Sequence, residues 1–196
     1  MISFAFLLIL IIVFFFINEY IKKFNFLSNY KGQKHQKFSG IQNIPLSGGI
    51  FLTFSIIVLL NSQNYIFSLF IFLIFFVGFV SDTNLLSSPK LRFLIQLILI
   101  IFFVLSLDVK IGKTNIILLD TLLNNIYFKY FFSVFCLLIL INGSNFIDGL
   151  NGLMLGYFSL ILIFVFNLEY YLNIGIDKLL FINLFILLTY LFIMNI

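Results

Sequence analysis

Charge is scarce in this sequence: only 9% of its 196 residues are Asp, Glu, Lys or Arg, while 63% are hydrophobic. Soluble domains carry about 25% charged residues, so a water-facing surface cannot be assembled from this chain, and soluble classes are excluded. Cysteine is nearly absent as well. Cys136 is the single one, which rules out an intramolecular disulfide, and its apolar surroundings read as those of a small packing residue. His35 is the single histidine, so a multi-histidine metal centre is excluded. No stretch rich in Pro, Gly or Ser marks a linker, which leaves residues 1–196 as one domain. The first apolar run, Ile2–Phe16, has no basic region before it and no small-residue cleavage site after it, so it reads as a retained helix rather than a signal peptide.

What the chain does have is apolar runs, built from Ile, Leu and 30 Phe. Crossing about 30 Å of hydrocarbon takes roughly 17–25 helical residues. Seven segments come near this: Ile2–Ile17, Ile44–Leu60, Tyr65–Val80, Leu91–Leu107, Ile126–Ile141, Leu150–Asn167 and Leu179–Ile196. Their continuity argues against a β-barrel, whose strands alternate, and helices satisfy their own backbone in lipid. The expected fold is therefore all-α: a polytopic integral membrane protein of about seven transmembrane helices. The net charge of +4 belongs to basic groups lying between apolar runs, where they set topology, and no nucleic-acid partner is expected. With the N-terminus outside, the inner loops 18–43, 81–90 and 142–149 and the rim at Arg92 hold Lys22, Lys23, Lys31, Lys34, Lys37, Lys90 and Arg92. That majority of the 11 basic residues favours N-out. In the longest outer loop, Asp108–Asn125, the weak alternation Val109–Ile117 is compatible with a short hairpin or an irregular loop.

In this topology three polar clusters share the inner side. The first is Lys34-His35-Gln36-Lys37, followed by Pro45-Leu46-Ser47-Gly48-Gly49, where the glycine pair suits close helix packing. The second is Gly78-Phe79-Val80-Ser81-Asp82, followed by Ser88-Pro89-Lys90-Leu91-Arg92 and Gln96. Asp82, with basic neighbours Lys90 and Arg92, reads either as a helix-end acid or as a Mg²⁺ or phosphate site, since Mg²⁺ binds through one or two carboxylates plus substrate phosphates. The third runs from Asn142 through Asn145 and Asp148 to Leu153. Recurrence every three residues would align its two amides and carboxylate on one face of a continuing helix; a polar connecting loop is the other reading. A channel or transporter would place ionisable groups within the bilayer, whereas the acids and bases here lie almost entirely at helix ends.

In this order the clusters resemble the polyprenyl-phosphate N-acetylhexosamine-1-phosphate transferases, which include the undecaprenyl-phosphate N-acetylglucosaminyl 1-phosphate transferase and the phospho-N-acetylmuramoyl-pentapeptide transferase. The specific stretch is Asn142-x-x-Asn145-Phe146-Ile147-Asp148-Gly149-x-Asn151-Gly152-Leu153. The resemblance implies transfer of sugar 1-phosphate from a UDP-N-acetylhexosamine to a bilayer-embedded polyprenyl phosphate, with Mg²⁺ (or Mn²⁺) as cofactor. It implies a multi-pass protein of the plasma (inner) membrane, active on the cytoplasmic side and initiating cell-envelope glycan synthesis; a homodimer is compatible with it. It assigns Asp82 to the catalytic centre and, with Asp148, to the metal. Asn142, Asn145 and Asp148 would engage the nucleotide sugar, Arg92 the uridine nucleotide, and Lys34 and His35 belong to the basic first loop. The chain departs from the family in two places. Ser81 stands where the first of two adjacent aspartates is usual. The sequence also ends at the seventh helix, where the family continues into a Gly-Asp loop and a histidine-rich loop, so it is expected to be an N-terminal portion lacking a principal metal-binding aspartate.

Overall fold

A computed structural model describes residues 4–24, 47–60, 65–83, 85–86, 88–147, 153–172 and 177–195. All regular structure among them is helical: α1 (Phe4–Phe24), α2 (Ser47–Leu60), α3 (Tyr65–Asp82), α4 (Pro89–Ser106), α5 (Ile117–Leu123), α6 (Ile126–Ile147), α7 (Leu153–Leu172) and α8 (Lys178–Asn195). The helices α3, α4 and residues 126–144 of α6 are long and apolar enough to cross a membrane, and shorter apolar stretches make up α1, α2, α7 and α8. Over its described residues, each of the seven expected segments is thus a helix. Phe16, Phe131, Leu160 and Ile193 are all more than 60% exposed, a surface that suits hydrocarbon and not water.

Two compact units divide the chain. The first joins its two ends, residues 1–63 and 146–196. Its core holds Leu7 and Phe14 of α1, Phe51 of α2, and Leu187 and Leu191 of α8. Phe14 stacks on Phe51 with ring centroids 4.0 Å apart, and Tyr190 meets both rings edge-on at 6.2 Å. Gly48 faces Leu191, whose Cδ2 would lie 4.0 Å from an added Cβ; this is ordinary packing between α2 and α8, looser than the close approach the glycine pair suggested, and Gly49 is exposed. Gly156 of α7 admits the Phe192 ring more tightly, 3.3 Å from such a Cβ.

Several polar groups are buried here too. Asn18 and Ser47 are 6% and 4% exposed, and the Ser47 hydroxyl donates to Asn18 Oδ1 at 2.7 Å. This pair explains one boundary. The sequence places residues from Asn18 onward in a loop, yet α1 runs to Phe24 because Asn18 turns inward to a partner while Lys23 and Phe24 remain exposed. A helix satisfies its own backbone, so polar side chains do not end it.

The second unit, residues 64–145, is built from α3, α4, α5 and most of α6. Ser88 caps α4, with its hydroxyl accepting from the Leu91 N–H at 3.5 Å, and Pro89 occupies the first turn, where its missing N–H costs nothing. Phe70 of α3 meets Phe103 of α4 edge-on at 5.4 Å. An apolar groove between α4 and α6 is lined by Leu97, Ile101 and Leu105 from one helix and Leu138, Val134 and Tyr130 from the other. The Tyr130 hydroxyl donates to Asp108 and the Ile111 N–H to Ser133, so the end of α4 meets the start of α6, and the two helices that line this groove run antiparallel. Asp82, the start of α4 and the far end of α6 therefore share one end of the unit.

The opposite end carries the α4–α6 connection, and the hairpin considered for Val109–Ile117 does not form. Residues 109–114 are irregular and lead into α5. Asp108 takes a left-handed backbone, φ 53°, in the position that usually ends a helix with glycine, and the Val109 N–H returns to the Val104 carbonyl at 3.0 Å. Asp tolerates this conformation better than most residues, and its carboxylate is held by Lys110 at 2.8 Å and by the Tyr130 hydroxyl.

Candidate functional site

The site is assembled at the α3–α4 turn. Backbone bonds from Thr83 N–H to the Phe79 carbonyl, 3.0 Å, and from Leu86 N–H to the Val80 carbonyl, 3.2 Å, wind the chain around the end of α3. Asp82 closes the helix with its carboxylate exposed. Across the turn, Arg92 folds back so that Nη1 donates to Ser81 Oγ at 3.2 Å. A cation is thereby held beside the residue that precedes Asp82. Lys90 is exposed on the first turn of α4.

The buried face of α4 continues from Arg92 through Gln96, Ile100 and Val104, four residues apart each time. Gln96 is 3% exposed, and its Oε1 has no hydrogen-bond partner. A buried amide oxygen without a donor is costly, and an aliphatic residue would fill the same place without that cost.

The third cluster joins the same end. The helix α6 does not stop near Ile141 but runs through Asn142, Gly143, Ser144 and Asn145 to Ile147, so this part of the polar stretch is helix rather than connecting loop. Asn142 and Asn145 accordingly lie about one turn apart on a continuous helix. Asn142 lies one turn beyond Leu138, which lines the groove shared with α4. The Asn142 amide nitrogen donates to the Leu138 carbonyl at 2.9 Å, which leaves its oxygen as the group for another donor. Gly143 and Gly78 both have open space where a side chain would stand; internal packing does not require glycine there, although glycine costs a helix about 1 kcal/mol relative to alanine.

The structure thus brings Ser81, Asp82 and Arg92 together at the α3–α4 turn, with Gln96 near the middle of α4 and Asn142 in the last turns of α6, within the same unit. Of Asn145 it gives the backbone; Lys34, His35 and Asp148 lie outside the described residues. No group of three or more His, Cys, Asp or Glu side chains that could hold a metal ion occurs among the described residues. The carboxylates of Asp108 and Asp120 stand at the far end of α4, which leaves Asp82 as the described acid at this end of the unit. Its donor set suits Mg²⁺ in the mode where phosphate oxygens and water complete the shell, and not a cation caged by protein alone.

Sequence reasoning missed how firmly the far end is built. The Asp120 carboxylate accepts from Thr114 N–H and hydroxyl, both at 2.8 Å, and from Asn115 N–H at 3.1 Å. Ser133, 2% exposed, accepts the Ile111 N–H at 3.0 Å. An acid in the first turn after a Thr-Asn pair was the available signal.

An all-helical chain, three of whose helices are long and apolar enough to cross a membrane, is compatible with a membrane protein, and Arg92 and Asp82 gather at the end of two of those helices. The family profile described as glycosyl transferase family 4 matches residues 64–195, and the chain belongs to that family, a family of transferases in keeping with the resemblance to the polyprenyl-phosphate hexosamine-1-phosphate transferases. The match takes in the second and third clusters, while the basic first cluster precedes it. No curated protein matches the chain, and no solved structure does.

Proposed function

We propose that the chain serves the transfer of N-acetylhexosamine 1-phosphate from a UDP-sugar to polyprenyl phosphate on the cytoplasmic side of the membrane. The observation that carries this reading is the Arg92–Ser81 bond beside the exposed carboxylate of Asp82. A sugar diphosphate needs cations around its oxygens and a carboxylate that can hold a metal without a full protein cage. In the reaction an oxygen of the lipid phosphate attacks the sugar-linked phosphorus, a new P–O bond forms, the bond to the second phosphate breaks, and UMP leaves. Mg²⁺ would be held by Asp82 and would offset negative charge on the diphosphate. Arg92 contributes a fixed cation at the same end, presenting its guanidinium to phosphate or nucleotide oxygens. The Asn142 and Gln96 oxygens are acceptors for hydroxyl or amide donors of the bound sugar nucleotide. Asp148, Asn145, Lys34 and His35 keep the roles that the motif implies. The polyprenyl acceptor accounts for an enzyme of soluble nucleotides being built into lipid.

The test is incorporation of label from UDP-N-acetylglucosamine, radioactive in the sugar, into the lipid extract of membranes containing the chain. Label in lipid with UMP as co-product, dependent on Mg²⁺ and lost in Asp82→Asn, is the expected result. Release of UDP instead of UMP would mean transfer of sugar alone and would sink the reading, as would an absence of labelled lipid with either Mg²⁺ or Mn²⁺.

A further inference from the structure

The connection opposite the Asp82 end is folded with one face inward and one apolar face left open. Leu123 anchors α5, at 1% exposed. Asp120 staples the preceding loop through its three accepted hydrogen bonds, and Ile111 and Asp108 tie that loop to Ser133 and Tyr130 of α6. On the other face Ile117 and Leu118 are 85% and 75% exposed, Leu122 is 47% exposed, and Tyr127, at the start of α6, is 80% exposed. A helix with so much apolar surface open to water would be expensive to maintain. Its position says what covers it. The helix lies between the end of α4 and the start of α6, where two membrane-length helices emerge. The adjoining ends of those helices carry exposed Leu105 of α4 and Phe131 of α6, side chains that suit hydrocarbon. Lys113 and Tyr127 flank α5, a cation and an amphipathic ring of the kinds that settle at the headgroup level. We infer that α5 is an interfacial foot: it rests in the headgroup–acyl boundary of the leaflet opposite Asp82, with Ile117, Leu118 and Leu122 dipped into lipid and Asp120 holding the loop above them.

The sequence contains no tryptophan, so a single introduced one reports its surroundings without background. Leu118→Trp, in the full chain reconstituted into phosphatidylcholine–phosphatidylglycerol vesicles, should emit at short wavelength. It should lose most of its emission to lipids brominated near the headgroup, less to lipids brominated deep in the acyl chain, and little to aqueous acrylamide. Ile117→Trp should behave alike and serves if the first variant does not fold. Long-wavelength emission quenched by acrylamide would place the face in water and overturn the inference. Protection from both quenchers that fades as the protein is diluted in lipid would assign the face to a second copy of the chain and overturn it equally. Neither readout depends on enzymatic activity.

Discussion

Ser81 is a small residue in a demanding place. A carboxylate there would form a charge-assisted pair with Arg92; the hydroxyl instead accepts one bond and adds no negative charge of its own beside the guanidinium. Ser81→Asp is therefore expected to weaken binding of UDP in the absence of metal, measured by equilibrium dialysis on detergent-solubilised protein; tighter binding would contradict this. Gln96 separates structural from functional roles. Gln96→Leu removes a buried oxygen that has no donor, so thermal unfolding in detergent should show unchanged or raised stability, while label transfer should fall about tenfold, the equivalent of one hydrogen bond. Loss of stability together with loss of transfer would make Gln96 a packing residue. At the far end, Lys110 first and the Tyr130 hydroxyl second hold the Asp108 carboxyl below its ordinary value, and the Thr114 hydrogen bonds do the same for Asp120. A carboxyl depressed in the folded state stabilises above its unfolded pKa and loses that contribution as pH falls through the folded one. The connection should stay docked through mildly acidic pH and loosen only below the usual carboxylate range, which hydrogen exchange at the Thr114 and Asn115 amides can follow.

At the scale of elements, helix existence was legible and helix ends were not. The start of α3 at Tyr65 and that of α6 at Ile126 agree with the sequence reading because a sharp polar-to-apolar change marks each. The ends of α1 and α6 were placed too early, since Asn18 and Asn142 look like loop residues until their partners are seen: the Ser47 hydroxyl for one, the Leu138 carbonyl for the other. The helix α5 was invisible because seven residues carry too little periodicity, and its stability comes from Asp120 and Leu123 rather than from propensity. The candidate residues Asp82 and Arg92 stood out in the sequence as a motif, but the Arg92–Ser81 bond did not, because a side chain folding back over eleven positions leaves no local pattern. The α1–α2 contact offers a measurable consequence. Phe14→Ala should cost about 1–2 kcal/mol, the ring–ring attraction and cavity terms, and not the 3–5 kcal/mol of a soluble core, because lipid replaces water around a separated helix. Unfolding in graded sodium dodecyl sulfate measures it.

For the molecule as a whole, the antiparallel course of α4 and α6 puts the Asp82 turn and the α5 connection on opposite ends of the second unit. With Cys136 replaced by Ser, Thr83→Cys and Lys113→Cys should react with a membrane-impermeant maleimide from opposite faces of sealed vesicles, the former from the cytoplasmic face. Labelling of both from one face would refute the arrangement.

The partition of the chain also has a bearing on its birth at the ribosome. The first unit draws α1 and α2 from the early part of the sequence and α7 and α8 from the late part. Roughly ninety residues of translation separate Leu60 from Leu153, which at about 5–20 residues per second leaves the early pair waiting on the order of 5–20 s. During that interval Phe51 and Leu7 have no α8 to meet, and the insertion machinery or bulk lipid must shelter them while the intervening hairpin of α3 and α4 closes by itself.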